Sequence, residues 1–182
     1  MTECVGFWEC TTAFLGSDLF KNLSFMIGVL VAVVSVLAAR NTAKKKQSAD
    51  LLFNSRNDEE LVQGMRKLAV LHEDDAINMR TFAKKSQNGT DEAKAIRYVL
   101  NHYEYVSVGV QSGIYDEKML RNASYNTVVN LYKHAKPFIE AIREESGRST
   151  LYQEFQWLAK RWEAIGHQPK RRSFWSRNGN GH

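Results

Sequence analysis

The sequence is poor in the residues that mark catalysis, crosslinking and metal binding. Its 182 residues include only two cysteines, two prolines and five histidines. It contains no glycine-rich phosphate loop, no Gly-x-Ser-x-Gly turn and no His-x-x-x-His or Glu-x-x-His pair. We therefore expect neither an enzyme nor a resident cofactor.

Both cysteines lie close to the N-terminus, ahead of the longest apolar run. Cys4 and Cys10 could form a small disulfide if this segment faces an oxidising compartment, and they could equally remain free. Metal binding by the pair is disfavoured because the segment contains no histidine.

The chain also lacks a broad basic surface. The formal net charge is +5, but acidic and basic residues nearly balance from Gln47 to Ala164. The excess lies in two short flanks, Arg40–Lys46 and Lys170–Arg177. Such flanks suit anionic lipid, and the balanced middle gives no sign of a nucleic-acid partner.

What the sequence does have is one apolar run, Ser24–Ala39, with the sequence SFMIGVLVAVVSVLAA and no charge. Extended to Leu19–Arg40, with Lys21 reaching outward, it has the roughly 20 residues that a membrane-spanning helix needs. A cleaved signal peptide and a core helix of a soluble protein are the two alternatives. The aromatic, acidic start disfavours the first, and the extended length disfavours the second.

The flanking charges predict the orientation of this span. Basic residues favour the cytoplasmic side, and four of them follow the run directly: Arg40, Lys44, Lys45 and Lys46. We expect a single-pass membrane protein, with residues 1–18 outside, a basic juxtamembrane helix over 41–48 and a cytoplasmic domain over 49–164.

Small residues recur on one side of the predicted span. Their steps of three and four place them in a single stripe, where two helix backbones could approach closely. We expect a homo-oligomer whose helix–helix seam consists of Ser24, Gly28, Ala32, Ser35 and Ala39.

The domain after the span shows helical periodicity throughout, which predicts an all-α bundle. Asn57-Asp58 and Thr90 are predicted caps, and the strongest helix covers Asp91–Gln111. Further predicted helices are a short one over Asp75–Lys84, Asp116–Arg121, Ser124–Ile142 with a kink or break before Pro137, and Thr150–Ala164.

Two polar motifs stand out within the bundle, Asn101–Tyr105 and Gly113–Glu117. His102, Glu104 and Asp116 could suggest a metal-dependent enzyme, but His102 and Glu104 are two residues apart and point to different sides of a helix. Packing of Tyr103 and pairing of the acids with arginines or helix ends is the preferred interpretation. As a candidate surface for an unidentified protein partner we select Glu104, Tyr115, Asp116, Glu117 and Arg121.

The tail, residues 165–182, has no apolar period and is predicted to be disordered. A contact with the lipid bilayer would use its basic and aromatic residues together. Those residues are Lys170, Arg171, Arg172, Phe174 and Trp175.

Three segments together resemble a bacterial and phage-borne family of unknown function, the DUF family numbered four-seven-six-zero. They are YVLNHYEYVSVGVQSGIYDEKMLR (Tyr98–Arg121), LYKHAKPFIEAIRE (Leu131–Glu144) and LYQEFQWLAKRW (Leu151–Trp162). The resemblance covers about Ser24–Ala164 and implies a membrane helix followed by a helical domain. It implies no established reaction.

From these features we expect a membrane-tethered helical interaction or scaffold module that self-associates. The distribution of the family suggests a role in phage–host conflict or envelope regulation. The alternative is an effector that permeabilises the membrane through an oligomerised span, and a metal-dependent enzyme is the third candidate.

Overall fold

The computed structural model describes residues 18–166. The predictions for Cys4, Cys10 and the outer segment lie outside this range. So do those for Lys170, Arg171, Arg172, Phe174 and Trp175 of the tail.

The described residues are helical, with no β-strand among them, which confirms the all-α prediction. Two 3₁₀ helices, Met79–Ala83 and Lys85–Gln87, lie between the second and third α-helices. The α-helices are α1 (Asp18–Asn57), α2 (Glu59–Glu73), α3 (Asp91–Gln111), α4 (Glu117–Ser146) and α5 (Gln153–Ile165). The chain divides into two units at Ala43–Lys44, so α1 contributes to both.

In the first unit, the apolar part of α1 is uncovered. Its large apolar side chains between Leu23 and Leu37 are 48–74% exposed. By length and composition α1 is the one helix among the described residues that could cross a membrane, and none of its apolar window is buried. Its exposure does not fit the core-helix alternative, because a core helix would be covered by the rest of the fold.

Several of the helices in the second unit begin at the caps that the sequence predicts. The Asp58 carboxylate accepts a hydrogen bond from the Leu61 N–H at 2.9 Å, and the Thr90 hydroxyl accepts one from the Ala93 N–H at 3.3 Å. These side chains satisfy first-turn N–H groups that have no partner within the helix. The Thr90 cap opens α3, whose bounds match the prediction.

The core of the second unit joins α2, α3, α4 and α5. Its largest fully buried side chains are Phe138 of α4 and Phe155 and Trp162 of α5. Tyr103 of α3 stacks on Phe155 with ring centroids 5.4 Å apart, as its predicted inward position requires. Burial of these aromatic rings, together with the aliphatic side chains around them, stabilises the domain.

Three helical segments differ from the sequence-based prediction. Asp116–Arg121 and Ser124–Ile142 belong to one helix, α4, which continues through Pro137. Proline removes one backbone hydrogen bond, but Ala135, Phe138 and Ile139 are buried around it and hold the helix in place. The segment Asp75–Lys84 forms a 3₁₀ helix only from Met79.

The last helix begins three residues later than predicted, at Gln153. Its N-cap residue, Tyr152, has left-handed backbone angles, φ 56° and ψ 31°. This conformation ends the turn that precedes α5, so Thr150 and Leu151 lie outside the helix.

Candidate functional site

The candidate surface predicted from sequence lies where the ends of α3, α4 and α5 meet the second half of α1. The fully buried Ser48 connects α1 to this junction. Its hydroxyl donates to the Lys44 carbonyl at 2.9 Å and accepts the Asp116 N–H at 2.7 Å. Asp116 in turn caps α4, since its carboxylate accepts the Met119 N–H at 2.9 Å.

Lys44, one of the predicted juxtamembrane cations, lies beside the end of α3. A Cβ placed on Gly113 would be 3.2 Å from the Lys44 Nζ, and Gly113 has a φ of +67°. A positive charge is favourable near the C-terminus of a helix. Lys44 thus lies beside the end of α3, although it is exposed like Arg40, Lys45 and Lys46.

Glu104 supplies the N-terminal cap that α5 lacks. Tyr152 makes no side-chain cap, and the Glu104 carboxylate instead accepts the N–H groups of Phe155 at 2.8 Å and Glu154 at 3.4 Å. Burial raises the pKa of Glu104, and these two backbone hydrogen bonds oppose the shift. The carboxylate joins α3 to α5, as the preferred interpretation from sequence expected.

Tyr115 and Glu117 are also held by neighbours in the domain. A Cβ placed on Gly109 would lie 2.2 Å from the Tyr115 Cε2, so the ring packs directly on the glycine backbone. Glu117 accepts two hydrogen bonds from the Arg161 guanidinium, at 2.7 and 3.2 Å. This bidentate pair raises the pKa of Arg161.

A cavity of about 450 Å³ opens beside this ion pair. Arg161 lies over the Trp157 ring at 5.5 Å, and Glu154 bonds Gln111 across the opening. The lining residues are Val110, Gln111, Glu117, Glu154, Trp157 and Arg161. The opening combines one half-exposed aromatic ring with paired charges, which is the usual chemistry of a small protein-contact surface.

Arg121 is the least exposed member of the predicted surface. It is only 7% exposed, and its Nε has no hydrogen-bond partner among the described residues. The structure thus gathers Glu104, Tyr115, Asp116 and Glu117 around the helix ends and gives each an intramolecular contact. Their use by a partner protein stays a prediction.

Ser55, His102 and Asp58 form a second polar cluster, which at first sight resembles a nucleophile, a base and an acid. The Ser55 hydroxyl lies 3.3 Å from the His102 Nε2, but it donates its proton to the Leu51 carbonyl at 2.8 Å. With its proton on the Leu51 carbonyl, the Ser55 hydroxyl is not activated by His102 in this arrangement. The Asp58 carboxylate accepts the Leu61 N–H and the Tyr98 hydroxyl at 2.9 Å each.

The described residues contain no group of three or more side chains that could hold a metal ion. His102 contacts Ser55 of α1, whereas Glu104 caps α5, so the two side chains serve different neighbours. Burial lowers the pKa of His102, and the nearby Asp58 charge opposes the shift.

The predicted seam residues all lie on α1 and are exposed: Ser24, Gly28, Ala32, Ser35 and Ala39. A Cβ placed on Gly28 would meet no atom within 4 Å. A larger side chain at this position therefore has room within one copy of the chain.

Sequence analysis missed the residues that complete these contacts. Ser48 and Ser55 are seven residues apart and enclose Leu51 and Leu52, a spacing that could have indicated a second packed face on α1. Arg143 fastens the turn before α5 by donating to the Leu151 carbonyl at 2.8 Å. No local pattern signals that contact, because the two residues are brought together by the turn itself.

The family expectation is confirmed. The model of the family described as Domain of unknown function (DUF4760) matches residues 22–162, and the chain belongs to this family. The match includes most of the apolar part of α1, all of α2–α4 and α5 as far as Trp162. No curated protein and no solved structure matches the chain significantly.

Proposed function

We propose that this protein is a membrane-tethered interaction module that self-associates through α1. The observation that carries the proposal is the uncovered apolar half of α1, whose large side chains are 48–74% exposed. An apolar surface of this size needs lipid or another protein to cover it. A span in a bacterial inner membrane meets that need, and the cations after Ala39 favour a cytoplasmic position for α2–α5.

The small residues of α1 support self-association as the role of the span. Lipid tails are as apolar as leucine, so membrane helices associate through close packing and not through the hydrophobic effect. The Ser24–Ala39 stripe gives such a packing surface, with open space around Gly28. The occupant we propose is the same stripe of a second copy.

The helical domain would then be displayed at the membrane surface for a protein partner. The polar residues around α3, α4 and α5 are engaged in caps and ion pairs. We therefore favour binding of a partner over catalysis as the role of the domain. A role in phage–host conflict or envelope regulation is the biological setting we propose for such a module. A membrane-permeabilising effector is the alternative that the same seam would allow.

Substitution of Gly28 tests both functions in one experiment. Gly28→Leu should push the two backbones apart, so energy transfer between fluorescently labelled copies in lipid vesicles should fall. Val33→Phe adds the same number of carbon atoms on the opposite side of α1 and should leave energy transfer unchanged.

The same variants distinguish the tether from the permeabilising effector. For this test, a membrane-potential dye measures the depolarisation of cells that express each protein. The tether predicts no depolarisation by any of the three proteins. Depolarisation by the wild type that Gly28→Leu abolishes would instead establish the effector. Equal energy transfer in wild type and Gly28→Leu would contradict the seam.

A further inference from the structure

A second concave site lies away from the α3–α4–α5 junction, between the end of α4, the turn before α5 and the 3₁₀ segment. It is a cavity of about 270 Å³. Its charged and aromatic lining consists of Lys85, Arg97, Glu145, Arg148 and Tyr152. Ala83, Ile142 and Leu151 add apolar wall. The volume is slightly below the roughly 300–1,000 Å³ of typical drug-sized ligand sites, so the cavity suits only a small molecule.

The cavity has an excess of positive charge. Three cations, Lys85, Arg97 and Arg148, face one acid, Glu145. No salt bridge within residues 18–166 involves any of these four side chains, although ion pairs occur elsewhere in the domain. Cations gathered without partners repel one another, so an anion at this place would be stabilised.

Arg97 is unusual among the lining residues because part of its guanidinium is buried without an acceptor. Its Nη2 donates to the Asn88 side-chain oxygen at 2.5 Å, and the guanidinium carbon lies 5.5 Å from the centre of the Phe138 ring. Its Nε is buried and has no hydrogen-bond partner. The Asn88 and Phe138 contacts hold the rest of the guanidinium in a fixed place at the cavity wall.

The turn before α5 forms one wall of the cavity and has an energetically unfavourable backbone conformation. Tyr152 is the one non-glycine residue with positive φ in the described part of the chain. Arg143 holds the turn on both sides of Tyr152, by donating to the Leu151 carbonyl and to the Gln156 side-chain oxygen, each at 2.8 Å. Strained backbone of this kind is concentrated at binding sites, because it fixes side chains before a ligand arrives.

We propose that this cavity binds a small phosphomonoester. A phosphomonoester carries close to two negative charges at neutral pH, which matches the excess of three cations over one acid, whereas a carboxylate carries one. Guanidinium groups suit phosphate oxygens geometrically, and two of the three lining cations, Arg97 and Arg148, carry them. The apolar wall would contact a short organic group.

The same phosphate chemistry occurs in free metabolites and in lipid headgroups, and two measurements distinguish these sources. The full chain in phosphatidylcholine nanodiscs is titrated with glycerol 3-phosphate and, as the uncharged probe, glycerol. Separately, native mass spectrometry measures retention of phosphatidic acid against phosphatidylcholine. Binding of glycerol 3-phosphate indicates a soluble ligand, and selective retention of phosphatidic acid alone indicates a lipid ligand.

Charge reversal in the cavity should weaken binding while leaving the fold intact. The double variant Lys85→Glu with Arg148→Glu, at two exposed positions, should lose about tenfold or more in affinity. The control Arg66→Glu with Lys118→Glu makes the same charge change at exposed residues outside the cavity and should stay within about twofold. Arg97→Lys keeps the charge but removes the planar guanidinium, and it should weaken binding.

Two results would overturn the proposal. One is wild-type protein that binds neither phosphate probe more tightly than roughly 1 mM. The other is an equal loss of affinity in the control pair, which would show that the attraction comes from the net charge of the domain and not from this cavity.

Discussion

Ser48 shows how single polar residues determine the arrangement of this domain. It is fully buried, and its hydroxyl bridges the Lys44 carbonyl and the Asp116 N–H. The second half of α1 is thereby fastened at the start of α4. Ser55 lies two turns further along the same face of α1 but makes a longer contact, 3.3 Å, with the half-buried His102.

Replacement of Ser48 by alanine should therefore destabilise the domain. Ser48→Ala leaves the Asp116 N–H without its acceptor, which should lower the free energy of unfolding by about 1–2 kcal/mol. Urea unfolding of the full chain in detergent micelles, followed by circular dichroism, measures the change. Ser55→Ala is the matched control and should cost clearly less. Equal costs would mean that α1 is held by its apolar contacts alone.

At the residue scale, the sequence identified the residues of the candidate surface but not the individual contacts of their side chains. The sequence singled out Glu104, Tyr115, Asp116 and Glu117 because they belong to its two most unusual polar motifs. It expected the acids to pair with arginines or helix ends but not which ones, because the Phe155 N–H is 51 residues from Glu104 and Arg161 is 44 residues from Glu117. Pairings over such distances depend on how the helices pack.

At the scale of elements, α2 and α4 meet through two stacked histidines. The rings of His72 and His134 have centroids 4.3 Å apart and lie within 17° of parallel. Burial lowers the pKa of His134 from its ordinary value of 6.5, the charge of protonated His72 lowers it further, and Glu73 opposes both. The folded domain therefore resists protonation at this contact more than the unfolded chain does.

This difference predicts a dependence of stability on pH. Below the unfolded pKa of 6.5 the unfolded chain binds the proton more readily, so the free energy of unfolding should fall as the pH decreases. Thermal unfolding of the full chain, measured from about pH 7.5 to about pH 5.5, should show this slope. His134→Gln should reduce it.

His72→Gln should also reduce the slope, because it removes the neighbouring charge. His102 has a pKa lowered by burial and contributes a slope of the same sign, which remains in both variants. Identical slopes in the wild type and His134→Gln would contradict the assignment to the histidine pair.

The extent of helix α4 could not be predicted from the sequence. Proline inside a helix normally predicts a break, yet α4 runs from Glu117 to Ser146 through Pro137. The buried side chains on either side of Pro137 outweigh one missing hydrogen bond, and burial cannot be known before the partners of a helix are known. The caps at Asp58 and Thr90 were predictable because they depend only on neighbouring residues.

For the whole molecule, the sequence predicted the order of parts from patterns that need no tertiary information. An apolar run and helical periodicity were enough for one candidate span and an all-α domain. The cavity lined by Lys85, Arg97 and Arg148 could not be predicted in this way, since it is formed by three separate segments. Only the fold brings these cations together.

Self-association through one side of α1 is the central claim, and cysteine crosslinking tests it most directly. With Cys4 and Cys10 replaced by serine, single cysteines are introduced along α1 of the full chain in native membranes. Gly28→Cys, Ala32→Cys and Ser35→Cys should give crosslinked dimers on mild oxidation. Leu30→Cys, Val33→Cys and Leu37→Cys, on the opposite side, should remain monomeric. Uniform crosslinking at all six positions, or crosslinking at the second set alone, would contradict the seam.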